Sequence, residues 1–162
     1  MDDNKKKIAF IINPISGTQG KEHILKWLDE KLDKNRYMPE VIYTEWAGHA
    51  VEIAARKAKE EVFAVVAIGG DGTINEIARS LVHTKTALGI IPCGSGNGLA
   101  RHLQIPMEAK KAIDIINEGL IDIIDYGKIN DVPFFCTCGV GFDAFVSLQF
   151  SKAGRRGPLI YL

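Results

Sequence analysis

Cysteine is scarce: three residues in 162, at Cys93, Cys136 and Cys138. An odd number without framework spacing excludes an extracellular disulfide scaffold. Cys136 and Cys138 share one face of any strand they lie on, and their apolar neighbours mark them as buried thiols rather than part of a metal site. No charge predominates, since Lys plus Arg and Asp plus Glu each number 20. That removes whole-molecule attraction to nucleic acid or to an anionic membrane and leaves only local patches. Long apolar runs are missing too. The longest covers residues 62–68, far below the roughly 20 residues of a membrane-crossing helix. Lys5-Lys6-Lys7 and the apolar residues 8–12 imitate a secretory signal. Asn13-Pro14 ends that run too early, and no small-residue cleavage site follows. A cytoplasmic protein is expected. His23, His49, His83 and His102 make no metal-ligand spacing. There is no Walker-type loop, no lipidation motif and no internal repeat.

What is present is globular in character, with 46% apolar and 25% charged residues. A chain of this length buries roughly 70% of its unfolded surface, enough for a real core. Apolar runs at 7–12, 40–43, 62–68 and 87–91 read as strands. Between them lie helical stripes. One carries Ile24, Leu25, Leu28 and Leu32, and a second Val51, Ala54, Ala55 and Ala58. A third helix is expected to start near Thr73, where Thr73-Ile74-Asn75-Glu76 has the form of a capping box. A short helix over 98–103 and another carrying Ala109, Ala112, Ile113 and Ile116 follow, the latter stopped by Gly119. Alternating strands and helices with short connections predict an α/β fold, a parallel sheet with helices on both faces. Beyond Gly119 the pattern changes. Residues 120–129 and 132–140 read as two strands joined by an Asn130-Asp131 turn. The expected division is therefore an α/β domain over 1–119 and the beginning of a β-rich second domain over 120–162. The apolar end at 157–162 suggests a chain cut short.

In a parallel sheet, ligands bind beyond the carboxyl ends of the strands. The first strand leads into Asn13-Pro14-Ile15-Ser16-Gly17, with Gly20-Lys21 further on. The second leads into Thr44. The third leads into Gly69-Gly70-Asp71-Gly72-Thr73, and the fourth into Gly94-Ser95-Gly96-Asn97. Glycines, small hydroxyls and amides thus collect at one rim. Glycine lets backbone N–H groups approach an anion closely, and helix N-termini add donors and partial positive charge, so the rim suits phosphate. Asp71 is out of place among donors for an anion. It can hold Mg²⁺, accept a proton from an attacking hydroxyl, or simply stabilise the helix dipole. Glu76 divides between a capping role and a ligand contact. Thr44 by itself is a strand-end residue.

The Gly69-Gly70-Asp71-Gly72-Thr73 segment resembles the signature shared by diacylglycerol, sphingosine-type and NAD kinases and phosphofructokinases. Two further motifs narrow the resemblance to the diacylglycerol/sphingosine lipid kinases. Pro92-Cys93-Gly94-Ser95-Gly96-Asn97-Gly98-Leu99-Ala100-Arg101 resembles their PxGxxN(x)xAR segment, and Asn13-Pro14-x-x-Gly17 their first nucleotide loop. Thr44 with His49-Ala50, and Gly139-Val140-Gly141-Phe142-Asp143-Ala144, match further family patterns. A downstream Asn-x-Gly-x-Leu-Gly-Phe segment typical of NAD kinases is not found.

The resemblance implies an ATP-dependent lipid kinase that moves the γ-phosphoryl of Mg·ATP to a lipid hydroxyl. It makes Asn13, Ser16, Gly17, Thr44, Gly69, Gly70, Gly72, Thr73, Glu76, Gly94, Ser95 and Asn97 candidate nucleotide contacts. Asp71 becomes the candidate general base or its organiser, and the Mg²⁺ ligand. Asp143 is implied to face the lipid head group, and Lys152 or Arg156 to reach the phosphates. The implied partner is a lipid at a membrane surface, met by peripheral contact. Family members are roughly twice as long, and a further acidic motif of their second domain is absent here, so an N-terminal fragment is expected. The rival readings are a kinase of a soluble substrate such as NAD or a sugar phosphate, and a non-catalytic nucleotide-binding fragment.

Overall fold

The computed structural model describes residues 5–14, 21–135 and 138–152. Strand β1 (Lys6–Ile12) turns five consecutive buried residues, Ile8, Ala9, Phe10, Ile11 and Ile12, alternately to two faces. A strand buried on both sides must be covered on both sides. Helix α1 (Glu22–Lys31) and β2 (Tyr37–Tyr43) follow, then α2 (His49–Lys59), β3 (Ala64–Gly69) and α3 (Asp71–Leu81). After β4 (Ala87–Pro92) come α4 (Gly98–His102) and α5 (Ala109–Glu118).

Among the described residues these strands form one parallel sheet in the order β2-β1-β3-β4. Phe10, Ile12, Val66, Ile68 and Ile91 point to one face, where Ile24 and Leu28 of α1 and Ile113 of α5 cover them. Ala9, Ile11, Val65, Ala67 and Ile90 point to the other, against Ile53 of α2, Ile74 and Ile77 of α3, and Leu99 of α4. The predicted fold, a parallel sheet with helices on both faces, is the observed one. From β1 the chain winds outward to β2, then crosses back over β1 to β3. The direction of winding therefore reverses between β1 and β3, and a crevice opens at their carboxyl ends.

Beyond shifts of one or two residues, as at the start of β3, three differences from the sequence reading stand out. Strand β2 begins at Tyr37 and runs through Pro39, which an edge strand tolerates because one side of it needs no ladder donor. Helix α3 begins at Asp71, two residues before the proposed cap. Extended Gly70 is its N-cap, and no side-chain hydrogen bond caps it. Thr73 is instead a buried residue of the first turn, so the capping box does not form.

The third difference lies beyond Gly119, which closes α5 in the left-handed conformation as expected. The strands there are much shorter than 120–129 and 132–140. They are β5 (Gly127–Ile129) and β6 (Val132–Phe134), a small antiparallel sheet. Residues 120–126 take no regular structure, and Leu120 and Ile123 are exposed, so that segment lacks the partner a strand needs. The turn itself is as expected: Asn130 and Asp131 both have positive φ, +46° and +63°, as a two-residue hairpin turn demands. Helix α6 (Phe142–Lys152) follows, where the sequence reading gave no helix. Arg36, just before β2, bonds the carbonyl of Asn117 at the end of α5, and Arg79, on α3, bonds that of Pro133, tying β6 to the sheet domain.

Candidate functional site

The residues after β1, β2, β3 and β4 meet at the crevice. Asn13 directly follows β1, and its Nδ2 donates to the Oγ1 of Thr73 at 3.4 Å. That contact joins the loop after β1 to the first turn of α3. Gly69 allows it. A Cβ there would lie 2.8 Å from Thr73 Oγ1, so a side chain at 69 would displace the hydroxyl. Thr44 is buried at the end of β2, and its N–H donates to the carbonyl of Ile12 at 2.8 Å, holding it beside Asn13.

The loops after β3 and β4 are joined more tightly. The Cys93 N–H donates to the Gly69 carbonyl at 2.8 Å. A Cβ on Gly94 would stand 2.6 Å from the Cα of Gly70, a separation that only a glycine permits. Buried Asn97, left-handed at φ +54°, closes the loop on itself. Its Oδ1 accepts from the Gly94 N–H at 2.8 Å, and its Nδ2 donates to the Gly94 carbonyl at 2.7 Å. The Asp71 carboxylate then spans the two loops. Oδ2 accepts from the Asn97 N–H at 2.8 Å and Oδ1 from the Gly98 N–H at 2.7 Å. Ser95 and Gly96 remain exposed at the tip, and Asp71 and Gly72 are exposed beside them. Glu76 is half-buried one turn into α3.

The structure thus gathers Asn13, Thr44, Gly69, Gly70, Asp71, Gly72, Thr73, Gly94, Ser95 and Asn97 at one edge of the sheet. Ser16 and Gly17 lie outside the described residues, as does Arg156. Asp143 belongs to α6. Among the described residues no three His, Cys, Asp or Glu side chains are grouped to hold a metal ion. Nor is any helix long and apolar enough to cross a membrane.

Three neighbours were not selected from the sequence as site residues. Arg101 bonds the Gly96 carbonyl through Nε at 2.9 Å, bracing the second glycine loop. Trp46, 53% exposed, stacks on His49 with ring centroids 3.7 Å apart, just past Thr44. His49 Nδ1 in turn accepts from the Glu45 N–H at 3.1 Å. The half-buried Cys93 thiol lies at the foot of the second loop, where burial pushes it up and Lys21 opposes the shift. Arg101 was legible as the last residue of the loop-to-helix motif. His49 was legible only as part of the Thr44…His49-Ala50 pattern, and Trp46 has no signal beyond an aromatic ring three residues before His49.

The fold and its rim define an open parallel α/β domain whose ligand edge is made of two interlocked glycine loops. Residues 7–129 match the diacylglycerol kinase catalytic domain, and the chain belongs to that family. It is 35% identical to a diacylglycerol kinase of Staphylococcus saprophyticus over 161 residues, 97% of this chain and 53% of that protein. It is 36% identical to a diacylglycerol kinase of Bacillus subtilis over 140 residues, 84% of this chain and 46% of the relative. The crystal structure of a diacylglycerol kinase from Bacillus anthracis superposes with a TM-score of 0.70 at 25% identity, covering 80% of this chain and 48% of that one. The chain therefore spans about half the length of the curated relatives it matches.

Proposed function

We infer that this chain carries the nucleotide half of a lipid kinase site, which transfers the γ-phosphoryl of Mg·ATP to a lipid hydroxyl. One observation carries the reading: the glycine loop after β3 borders the crevice where the sheet reverses its winding, the place where open α/β sheets bind ligands, and is joined there to Asn13 after β1 and on its other side to the glycine loop after β4. Family membership supports it, and the relatives' names supply the acceptor class.

In this reading residues 1–119 form the nucleotide domain and residues 120–162 begin the lipid-site domain. Asn13, Ser16, Gly17, Thr44, Gly69, Gly70, Gly72, Thr73, Glu76, Gly94, Ser95 and Asn97 line the nucleotide cleft. Backbone N–H groups at the start of α3 face the phosphates, since its N-cap, Gly70, has no side chain to occupy them. The acceptor oxygen bonds to the γ-phosphorus, the bond to the nucleoside diphosphate breaks, and a carboxylate takes the hydroxyl proton. Asp71 is that carboxylate or the one that holds magnesium. A carboxylate has about four lone-pair sites, so its two amide bonds leave room for either. Magnesium, when bound, neutralises charge on the phosphates. Asp143 is assigned to the lipid head group, met by peripheral contact with a membrane.

The test is transfer of label from γ-labelled Mg·ATP to three acceptors: vesicles carrying diacylglycerol, vesicles carrying a sphingoid base, and free NAD. Label in a lipid is the expected result. Label in NAD alone would move the protein to the soluble-substrate kinases. Mg·ATP binding without label in any acceptor would reduce the function of this chain to nucleotide binding.

A further inference from the structure

We propose that Asp71 is a positioning residue: its carboxylate clasps the Gly94–Asn97 loop onto the start of α3, and nucleotide affinity depends on that clasp. The proposal rests on the kinase reading for its ligand, and goes beyond it by giving Asp71 a role that needs neither metal nor proton transfer.

The geometry is that of a helix cap supplied from another segment. Helix α4 starts at Gly98, and its own N-cap, Asn97, makes no side-chain bond to the helix. Both polar atoms of that side chain are engaged with Gly94 instead. Two of the donors left over at the start of α4, the N–H groups of Asn97 and Gly98, are satisfied from α3 by the two oxygens of one carboxylate. Hydrogen bonds to an ionised acceptor are short and roughly twice as strong as neutral ones. The clasp also fixes which donors remain for phosphate. The N–H groups of Asn97 and Gly98 are occupied, which leaves the start of α3 and the exposed tip at Ser95 and Gly96.

Gly96 supplies an independent handle. A Cβ at 96 would lie 2.8 Å from Asp71 Oδ2, and nothing else falls within 4 Å of it except the same carboxyl carbon. Gly96→Ala therefore pushes the carboxylate off its partners while leaving that carboxylate in the protein. Asp71→Asn keeps the shape but turns an NH₂ group toward an N–H donor.

The experiment compares wild type, Asp71→Asn, Gly96→Ala and the double variant by binding of ATP in EDTA, where a metal-ligand role cannot contribute. Amide hydrogen exchange at Asn97 and Gly98 is followed in the same samples without nucleotide. The clasp predicts that each single variant weakens ATP binding about tenfold, the scale of one lost charge-assisted hydrogen bond. It also predicts that the double variant is no worse than Asp71→Asn alone, because both changes break the same contact. Exchange at both amides accelerates while the melting temperature stays near wild type. Unchanged affinity and exchange in Asp71→Asn would overturn the proposal, as would additive losses in the double variant. A wild-type chain that binds no ATP would overturn the kinase reading and the ligand part of this one. Exchange at Asn97 and Gly98 would still decide whether the clasp exists.

Discussion

Gly70 and Gly94 lie in different loops, and each leaves room for the other. A methyl at 94 would fall 2.6 Å from a backbone carbon that cannot rotate away. Gly94→Ala should therefore destabilise the fold by about 1–3 kcal/mol, the usual cost of overpacking, as read from urea unfolding. Gly72→Ala is the matched control. Nothing stands within 4 Å of its added Cβ, and it lies in α3, where alanine is favoured over glycine by up to about 1 kcal/mol. It should be neutral or mildly stabilising. Equal losses at the two sites would mean that glycine is needed at both for some reason other than space. At this scale the sequence showed which residue types gather at the rim. It did not show that the Asp71 carboxylate reaches the amides of Asn97 and Gly98. That pairing spans 26 and 27 residues and depends on how two strands register.

Between elements, Asn117 of α5 does for α1 what α1 cannot do for itself. Its Nδ2 donates to the Lys31 carbonyl at 2.8 Å, and its Oδ1 accepts from the Asp33 N–H at 2.9 Å. The last carbonyls of a helix have no partner within it, so this amide closes the end of α1 from outside. Lys31 and Asp114 pair beside it at 2.7 Å. Asn117→Ala should cost about 1–3 kcal/mol in thermal or urea unfolding, with early loss of amide protection at the end of α1. A loss below about 0.5 kcal/mol would reduce it to an ordinary surface change. Elements were legible where the local pattern was strong, as in the continuous apolar runs of β1 and β3 and the helical stripes of α1 and α2. The start of α3 was missed because Thr73 and Glu76 match a cap motif, while Gly70 lets the strand pass directly into the helix. Residues 120–129 are rich in isoleucine, as strands are, but composition cannot supply a neighbour to pair with. Only Gly127–Ile129 finds one.

Stability as a function of pH belongs to the whole molecule, and one buried cation shapes it. Lys57 on α2 is buried and pairs at 2.8 Å with both Glu40 of β2 and Glu60. Burial is the largest influence on Lys57 and pulls its pKa down, but hydrogen bonds and charge from the two glutamates leave it raised. The Lys57 hydrogen bond holds Glu60 below the usual glutamate range. The signs follow. The Lys57 contribution is complete below the ordinary lysine range and fades as pH rises through its raised value. The Glu60 contribution is complete above the ordinary glutamate range and fades as pH falls through its lowered value. The Lys57–Glu60 pair should therefore contribute a constant amount from about pH 6 to pH 9. Lys57→Met should flatten the acid limb of a stability–pH curve relative to wild type. An unchanged acid limb would show that other carboxylates govern it. The sheet order has a consequence for synthesis as well. Helix α1 covers its face of the sheet soon after β1 is made, but the flank of α1 that packs against α5 waits for a helix made much later. At about 5–20 residues per second, a nascent chain holds that flank bare for on the order of 10 s. During that interval the α5-facing side of α1 is exposed to chaperones and to other nascent chains.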